Sequence, residues 1–208
     1  MSRLVLPKNM KDAWPLALMA AGAVLLLYVV VQYGTMFAEQ RRLAKEWERQ
    51  NQPTTTTEAS QTRAVNDGLT KVTIPKINLD AVVVEGTGRK QLLLGPGHMT
   101  DTPAPGEIGN SVITAHRDTF FRHIYELNKG DNIEVRRNGK LYTYEVTGKK
   151  VVDPEDLSVI KQSQDKRLTL ITCYPTYYIG PAPERLVVFG KLVEEPEGKV
   201  MPAKEQLP

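Results

Sequence analysis

Only one cysteine, Cys173, and three histidines, His98, His116 and His123, occur in the 208 residues. A single thiol excludes an intramolecular disulfide framework and any multi-cysteine zinc site. No internal repeat is present, which removes solenoid and propeller architectures. Charge of one sign is also scarce, since Lys+Arg 27 against Asp+Glu 24 leaves a net +3. The pI near 8.9 would ordinarily raise a nucleic-acid question. The excess is local, however: Arg3, Lys8 and Lys11 face only Asp12 within residues 1–12, so two of the three net charges lie there. The rest of the chain is nearly neutral and gives no footing for a nucleic-acid partner. At 25% charged and 41% hydrophobic residues, the composition excludes wholesale disorder and is enough to build a core.

From Ala13 to Ala38 no charged residue occurs, and the centre of that run, Leu16 to Val31, reads LALMAAGAVLLLYVVV. About 20 apolar residues in a helix cross the hydrocarbon core of a bilayer. Pro15 stands at the entry, where a helix tolerates it. The basic residues ahead of the run predict a cytoplasmic N-terminus and an exported remainder. The run is longer than the core of a cleaved signal peptide and ends without a small-x-small site, so an uncleaved signal anchor is expected. Residues 51–66, NQPTTTTEASQTRAVN, cannot bury enough apolar surface to offset ordering entropy and read as a stalk. The expected order is a cytoplasmic stub at 1–12 and a transmembrane signal anchor at 13–38. A juxtamembrane segment and flexible stalk at 39–68, one domain at 69–195 and a tail at 196–208 then follow.

Within 69–195 the pattern is β-rich. Short apolar runs at Val72–Ile74, Ala81–Val84, Ser111–Thr114, Asn132–Arg136, Leu141–Val152, Leu168–Thr172 and Arg185–Val193 are separated by Gly and Pro. Asn138-Gly139 between two alternating runs predicts a two-residue hairpin. One short helix is expected at Thr119–Asn128, with Phe120, Ile124 and Leu127 on one face, and a second at Pro154–Lys161. Such short strands suggest a closed barrel or a sandwich, of which an all-β closed barrel with one or two short helices, preceded by the transmembrane helix, is the expected fold.

An unpaired thiol outside the cell is a liability unless it is used. Cys173 ends the apolar strand LTLITC, where a reactive group is held rigidly yet open; a buried, inert cysteine is the competing reading. A nucleophilic thiol needs a basic or cationic partner, usually histidine. His116 sits at the end of its own apolar strand, SVITA, ahead of Arg117-Asp118. His123 lies in the expected helix and His98 in the loop GPGH, where local packing explains each. Acyl transfer also needs oxyanion donors. The Tyr174 N–H lies beside the thiol, Pro175 has none, and Arg185, opening the strand RLVVFG, supplies a forked donor set. Thr172, Tyr174 and His98 complete the candidates as substrate-binding residues.

These segments resemble the sortases. TLITC (Thr169 to Cys173) is similar to the family's TLxTC signature, VITAHRDTFF (Val112 to Phe121) to the segment carrying its histidine, and ERLVVFG to the one carrying its arginine. IPKINLDAVVVEGT, GPGHM and TCYPTYYIGPAPERL resemble class D members. The resemblance implies an eight-stranded β-barrel and transpeptidation without a cofactor. Cys173 would attack the Thr carbonyl of an LPxT-type signal, LPxTG or LPNTA-like, near the C-terminus of a secreted protein. A peptidoglycan amine would then accept the acyl chain. His116 would move the protons and Arg185 would hold substrate and oxyanion. An L,D-type transpeptidase is excluded by the absence of its Ser-His-Gly-Cys cluster. A surface cysteine protease and a non-enzymatic tethered β-domain remain the alternatives. The short acidic cluster Asp153-Pro-Glu-Asp156 reads as a helix start rather than a metal site.

Overall fold

The computed structural model describes residues 10–50, 69–178 and 180–194, and divides the chain into a unit ending at Glu39 and a second beginning at Gln40. The expected stalk from 51 onward, the tail at 196–208 and most of the stub lie outside the described residues. In the first unit, helix α1 (Met10–Gln50) carries Pro15 near its start. Leu16, Met19, Val24, Leu25, Leu26 and Tyr28 are all exposed, so the helix is apolar on every side. That is the pattern of a segment that meets lipid rather than a protein core. It is long and apolar enough to cross a membrane. The helix continues past the onset of charge at Glu39, and in the second unit the Gln40 side chain engages the backbone of Val82. Its Oε1 accepts the Val82 N–H at 3.2 Å and its Nε2 donates to the Val82 carbonyl at 3.3 Å.

The second unit is a closed barrel of eight strands. In chain order these are β1 (Thr70–Ile74), β2 (Leu79–Glu85), β3 (Gly97–His98), β4 (Gly109–Thr114), β5 (Asn132–Arg137), β6 (Lys140–Val152), β7 (Lys166–Tyr174) and β8 (Glu184–Glu194). Around the barrel they run β1-β2-β3-β4-β7-β8-β6-β5, closed by the β1–β5 pair. The pairs β2–β3 and β4–β7 are parallel and the others antiparallel. Strand alternation fills the interior: Val72, Ile74, Ile113, Ala115, Leu168, Leu170, Leu186 and Val188 belong to one core cluster with Tyr142 and Tyr144. The expected hairpin is present between β5 and β6. Asn138 (φ 53°) and Gly139 (φ 73°) both adopt positive φ, as a type I′ turn demands.

The helix expected at Thr119–Asn128 is not α-helical. It consists of turns followed by a 3-10 helix at Ile124–Glu126, with i→i−3 bonds such as Ile124 N–H to Phe121 O and Leu127 N–H to Ile124 O. The reason is spacing: Phe121, Ile124 and Leu127, three apart, are all fully buried. A threefold helix aligns such residues, whereas an α-helix would rotate them out of line. Likewise the segment at Pro154–Lys161 forms only a 3-10 turn, Leu157–Ile160, capped by Asp156 accepting from Ser158 N–H at 3.0 Å. A short α2 (Arg89–Leu94) precedes β3, and neither was legible as periodicity.

The connection from β6 to β7 lies over the outer face of β4 and β7. Asn110, on β4 and nearly buried, donates from Nδ2 to the carbonyls of Val159 (3.0 Å) and Lys161 (3.2 Å), and its Oδ1 accepts from Thr169 Oγ1 (2.7 Å). Asn110→Ala strands the buried Thr169 hydroxyl and frees the two carbonyls, and is expected to cost about 1–3 kcal/mol. A lowered melting temperature, with faster hydrogen exchange around residues 157–161 in the detergent-solubilised protein, checks this. A second expectation concerns acid. The Asp131 carboxylate accepts from Asn128 N–H (2.6 Å) and Lys76 Nζ (2.7 Å), and these bonds hold it below the ordinary carboxylate range. Because the folded value lies below the unfolded one, this stabilisation is present above about pH 4 and is lost as pH falls through the folded value. Melting curves between about pH 5 and 2 should therefore fall less steeply for Asp131→Asn than for the parent.

Candidate active site

The site is assembled by register. In β7, Leu168 and Leu170 turn into the barrel, so Ile171 and Cys173 turn out. In β8, Leu186 and Val188 turn in, so Arg185 and Val187 turn out. Cys173 stands directly opposite Arg185 in the antiparallel β7–β8 pair. Side chains at such positions share a face with Cβ atoms about 5 Å apart. On the other side of β7 the ladder with β4 is parallel and reaches Thr114 opposite Ile171. It continues through Ala115 N–H to Ile171 O at 3.2 Å. His116 is the next residue and lies level with Cys173 by that register. All three residues are partly exposed. A thiol, an imidazole and a guanidinium at one rim, on the outer surface of a rigid barrel, are the groups that acyl transfer through a thioester requires.

The loop joining β7 to β8 borders this rim. The bond from Tyr174 to Pro175 is cis. Thr176 is buried, while Tyr177 and Tyr178 are exposed. Two guanidiniums hold the loop by its carbonyls. Arg185 donates from Nη1 to Ala182 O (3.2 Å) and Glu184 O (2.9 Å). Arg117 donates from Nη1 to Pro175 O (2.9 Å) and from Nη2 to Gly180 O (2.5 Å). The β6–β7 connection leaves β6 at Val152, opposite Arg185, and is held by Asn110 at the other end of the β4–β7 ladder. Its turn is fixed by Asp156, whose carboxyl the Ser158 hydrogen bonds keep below the usual range.

The other sequence candidates occupy different positions. Thr172 is buried and its hydroxyl donates to Ala115 O at 2.8 Å, tying the thiol's strand to the histidine's. Tyr174 is partly buried at the end of β7. His98, on β3, is buried with Nδ1 at 3.0 Å from both Glu85 carboxylate oxygens. Its Nε2 lies 3.1 Å from Pro103 O and 3.2 Å from Thr102 Oγ1. Those partners set it in the wall of a separate cavity of about 470 Å³ bounded also by Thr100 and Arg137. His123 is half-exposed and pairs with Glu126 at 2.8 Å. Among the described residues no group of three or more His, Cys, Asp or Glu is arranged to hold a metal ion. Sequence reasoning passed over Arg117 as a functional residue. Its place directly after His116 was the only signal, because the carbonyls it holds belong to a loop more than fifty residues away.

Comparison with known proteins bears on the family and the fold. A family model described as the sortase domain matches residues 72–193. Sortase D of Bacillus subtilis (strain 168) is 36% identical over 197 residues, spanning 88% of this chain and 100% of that protein. Sortase A of Listeria monocytogenes is 34% identical over 144 residues, spanning 64% of this chain and 63% of that protein. A solved Clostridium perfringens Sortase D5 transpeptidase superposes with a TM-score of 0.65 at 26% identity, covering 76% of this chain and 99% of its own. The chain belongs to the sortase family of cysteine transpeptidases, and its likeness extends to the family's D members.

Proposed function

We propose that this sortase cleaves LPxT-type sorting signals near the C-termini of secreted proteins and transfers them to a cell-wall amine. The observation that carries the reading is Cys173 directly opposite Arg185, with His116 two residues past the end of the neighbouring parallel strand β4. The Cys173 thiolate attacks the carbonyl carbon of the signal's threonine. Arg185 and the Tyr174 N–H stabilise the oxyanion, and Pro175 has no N–H to add. The C–N bond then breaks as His116 gives a proton to the leaving amine, and a thioester remains on Cys173. An amine, from a peptidoglycan cross-bridge or diaminopimelate, attacks that thioester and loses its proton to His116 as the thiolate departs. The guanidinium of Arg185 rests on carbonyls of its own loop, so a substrate carbonyl replaces one acceptor with another rather than meeting a bare charge.

In this reading Tyr174 serves through its backbone N–H beside the thiol, its side chain packing against the barrel core. Thr172 serves by tying the two strands, and His98 serves the wall in which its ring nitrogens are engaged. The basic residues before the apolar helix put the N-terminus in the cytoplasm and the barrel outside, at a surface where both substrates are found. The class D resemblance favours LPNTA-like or LAxTG-like signals over LPxTG.

A quenched sorting-peptide library incubated with the protein, with and without a diaminopimelate or oligoglycine amine, tests the proposal. An amine-linked product is expected; hydrolysis alone, unaffected by amine, reassigns the enzyme as a protease. Cys173→Ala and His116→Ala should lower cleavage by at least about 10³-fold. Arg185→Lys should leave a remnant about 10²–10³-fold below the parent, since a point charge replaces a planar fork. Full activity in Cys173→Ala would sink the assignment. The pH dependence of kcat/KM should be bell-shaped, because one group must lose a proton and another retain one. A flat profile between about pH 6 and 9 counts against acid–base work by this pair.

A further inference from the structure

Arg117 follows His116 in the chain, and its guanidinium reaches a segment that begins just past the cysteine. Nη1 bonds the carbonyl of Pro175, two residues beyond Cys173, and Nη2 bonds that of Gly180 further along the same loop. The path from His116 to Arg117, the next residue, across one hydrogen bond to Pro175, and back through Tyr174 to Cys173 is short. Arg185 holds the same loop nearer its end, through Ala182 O. Pro175, Pro181 and Pro183 have no N–H to donate. Among the described residues of 175–183, no backbone-to-backbone hydrogen bond closes the loop. Gly180 adopts φ +137°, a conformation that side-chain-bearing residues rarely take, and its carbonyl is one of the two that Arg117 holds.

We propose that Arg117 is a positioning residue for the transpeptidation, which braces the β7–β8 loop against the turn after β4 and so fixes His116 with respect to Cys173. The inference deepens the proposed function and rests on its assignment of those two residues. A planar fork suits the task, because it can satisfy two carbonyls at a set separation, which an ammonium on a flexible stem cannot. Arg117 touches neither the thiol nor the scissile bond in this role. Its effect on rate comes through geometry, where a displacement of about 1 Å costs up to about 100-fold.

Arg117→Lys, Arg117→Gln and Gly180→Ala in the detergent-solubilised full-length protein test this. The last variant disturbs the same contact from the loop side and leaves the guanidinium intact. Three readouts apply: steady-state cleavage of a quenched LPxTx peptide, the pH dependence of Cys173 alkylation, and hydrogen exchange across 176–184. All three variants should lose roughly 10- to 100-fold in kcat with a smaller change in KM. Alkylation should shift its pH dependence, and exchange should quicken in the loop but not in β7. Three results overturn the proposal: Arg117→Lys and Arg117→Gln both within about twofold of the parent, Lys fully rescuing what Gln loses (a role for charge alone), or loss accompanied by uniformly faster exchange throughout the barrel. An inactive parent would count against the proposed function instead, and the exchange and alkylation arms still judge the brace.

Discussion

Between β4 and β7 the backbone ladder runs parallel, from Gly109 opposite Lys166 to Thr114 opposite Ile171. Parallel neighbours cannot be joined by a tight turn and need a long crossover. Here the crossover contains the 3-10 segment, β5, β6 and the connection held by Asn110. What that long excursion secures is polarity: both strands finish at the same rim. His116 and Cys173, far apart in sequence, become neighbours because of the direction of one pairing. An antiparallel β4–β7 pair would place them at opposite ends of the barrel. The antiparallel β8 then begins where β7 ends, which delivers Arg185 to the same place.

Every other feature of the site serves that rim. The Thr172 hydroxyl on Ala115 O fastens the last step of the parallel ladder, where strands ordinarily fray. Asn110 fastens the first step and the connection above it. Inward alternation of Leu168, Leu170, Leu186 and Val188 gives the strands a dry core to rest on, so the outward residues are presented on a firm support. The two arginines then govern the loop, one from each side of the thiol.

Much of this was legible in the sequence, and for identifiable reasons. Period-two alternation marked the strands, Asn138-Gly139 marked the hairpin, and the uncharged run marked the long helix. Cys173, His116 and Arg185 stood out by their places at the ends of apolar runs, and the resemblance of TLITC, VITAHRDTFF and ERLVVFG to the sortases implied their roles. What was not legible depended on partners distant in the chain. β3 is two residues long and exists only because β2 and β4 flank it. The segment 119–128 looked helical because Phe120, Ile124 and Leu127, four and three apart, fit an α-helical face, while Phe121, Ile124 and Leu127 fit a threefold one. Only the buried positions of Phe121, Ile124 and Leu127 decide between them. The Glu85 partner of His98 and the carbonyl partners of Arg117 carry no local signal.

The apolar filling of the barrel has a consequence for how such a protein can change. Cys173 and Arg185 turn outward, while packed Val, Ile, Leu and Tyr side chains fill the lumen. Stability and selectivity are therefore written on opposite sides of the same strands. A lineage can rewrite the outward positions while the inward ones stay as they are. The division lets substrate preference drift widely at little cost to folding.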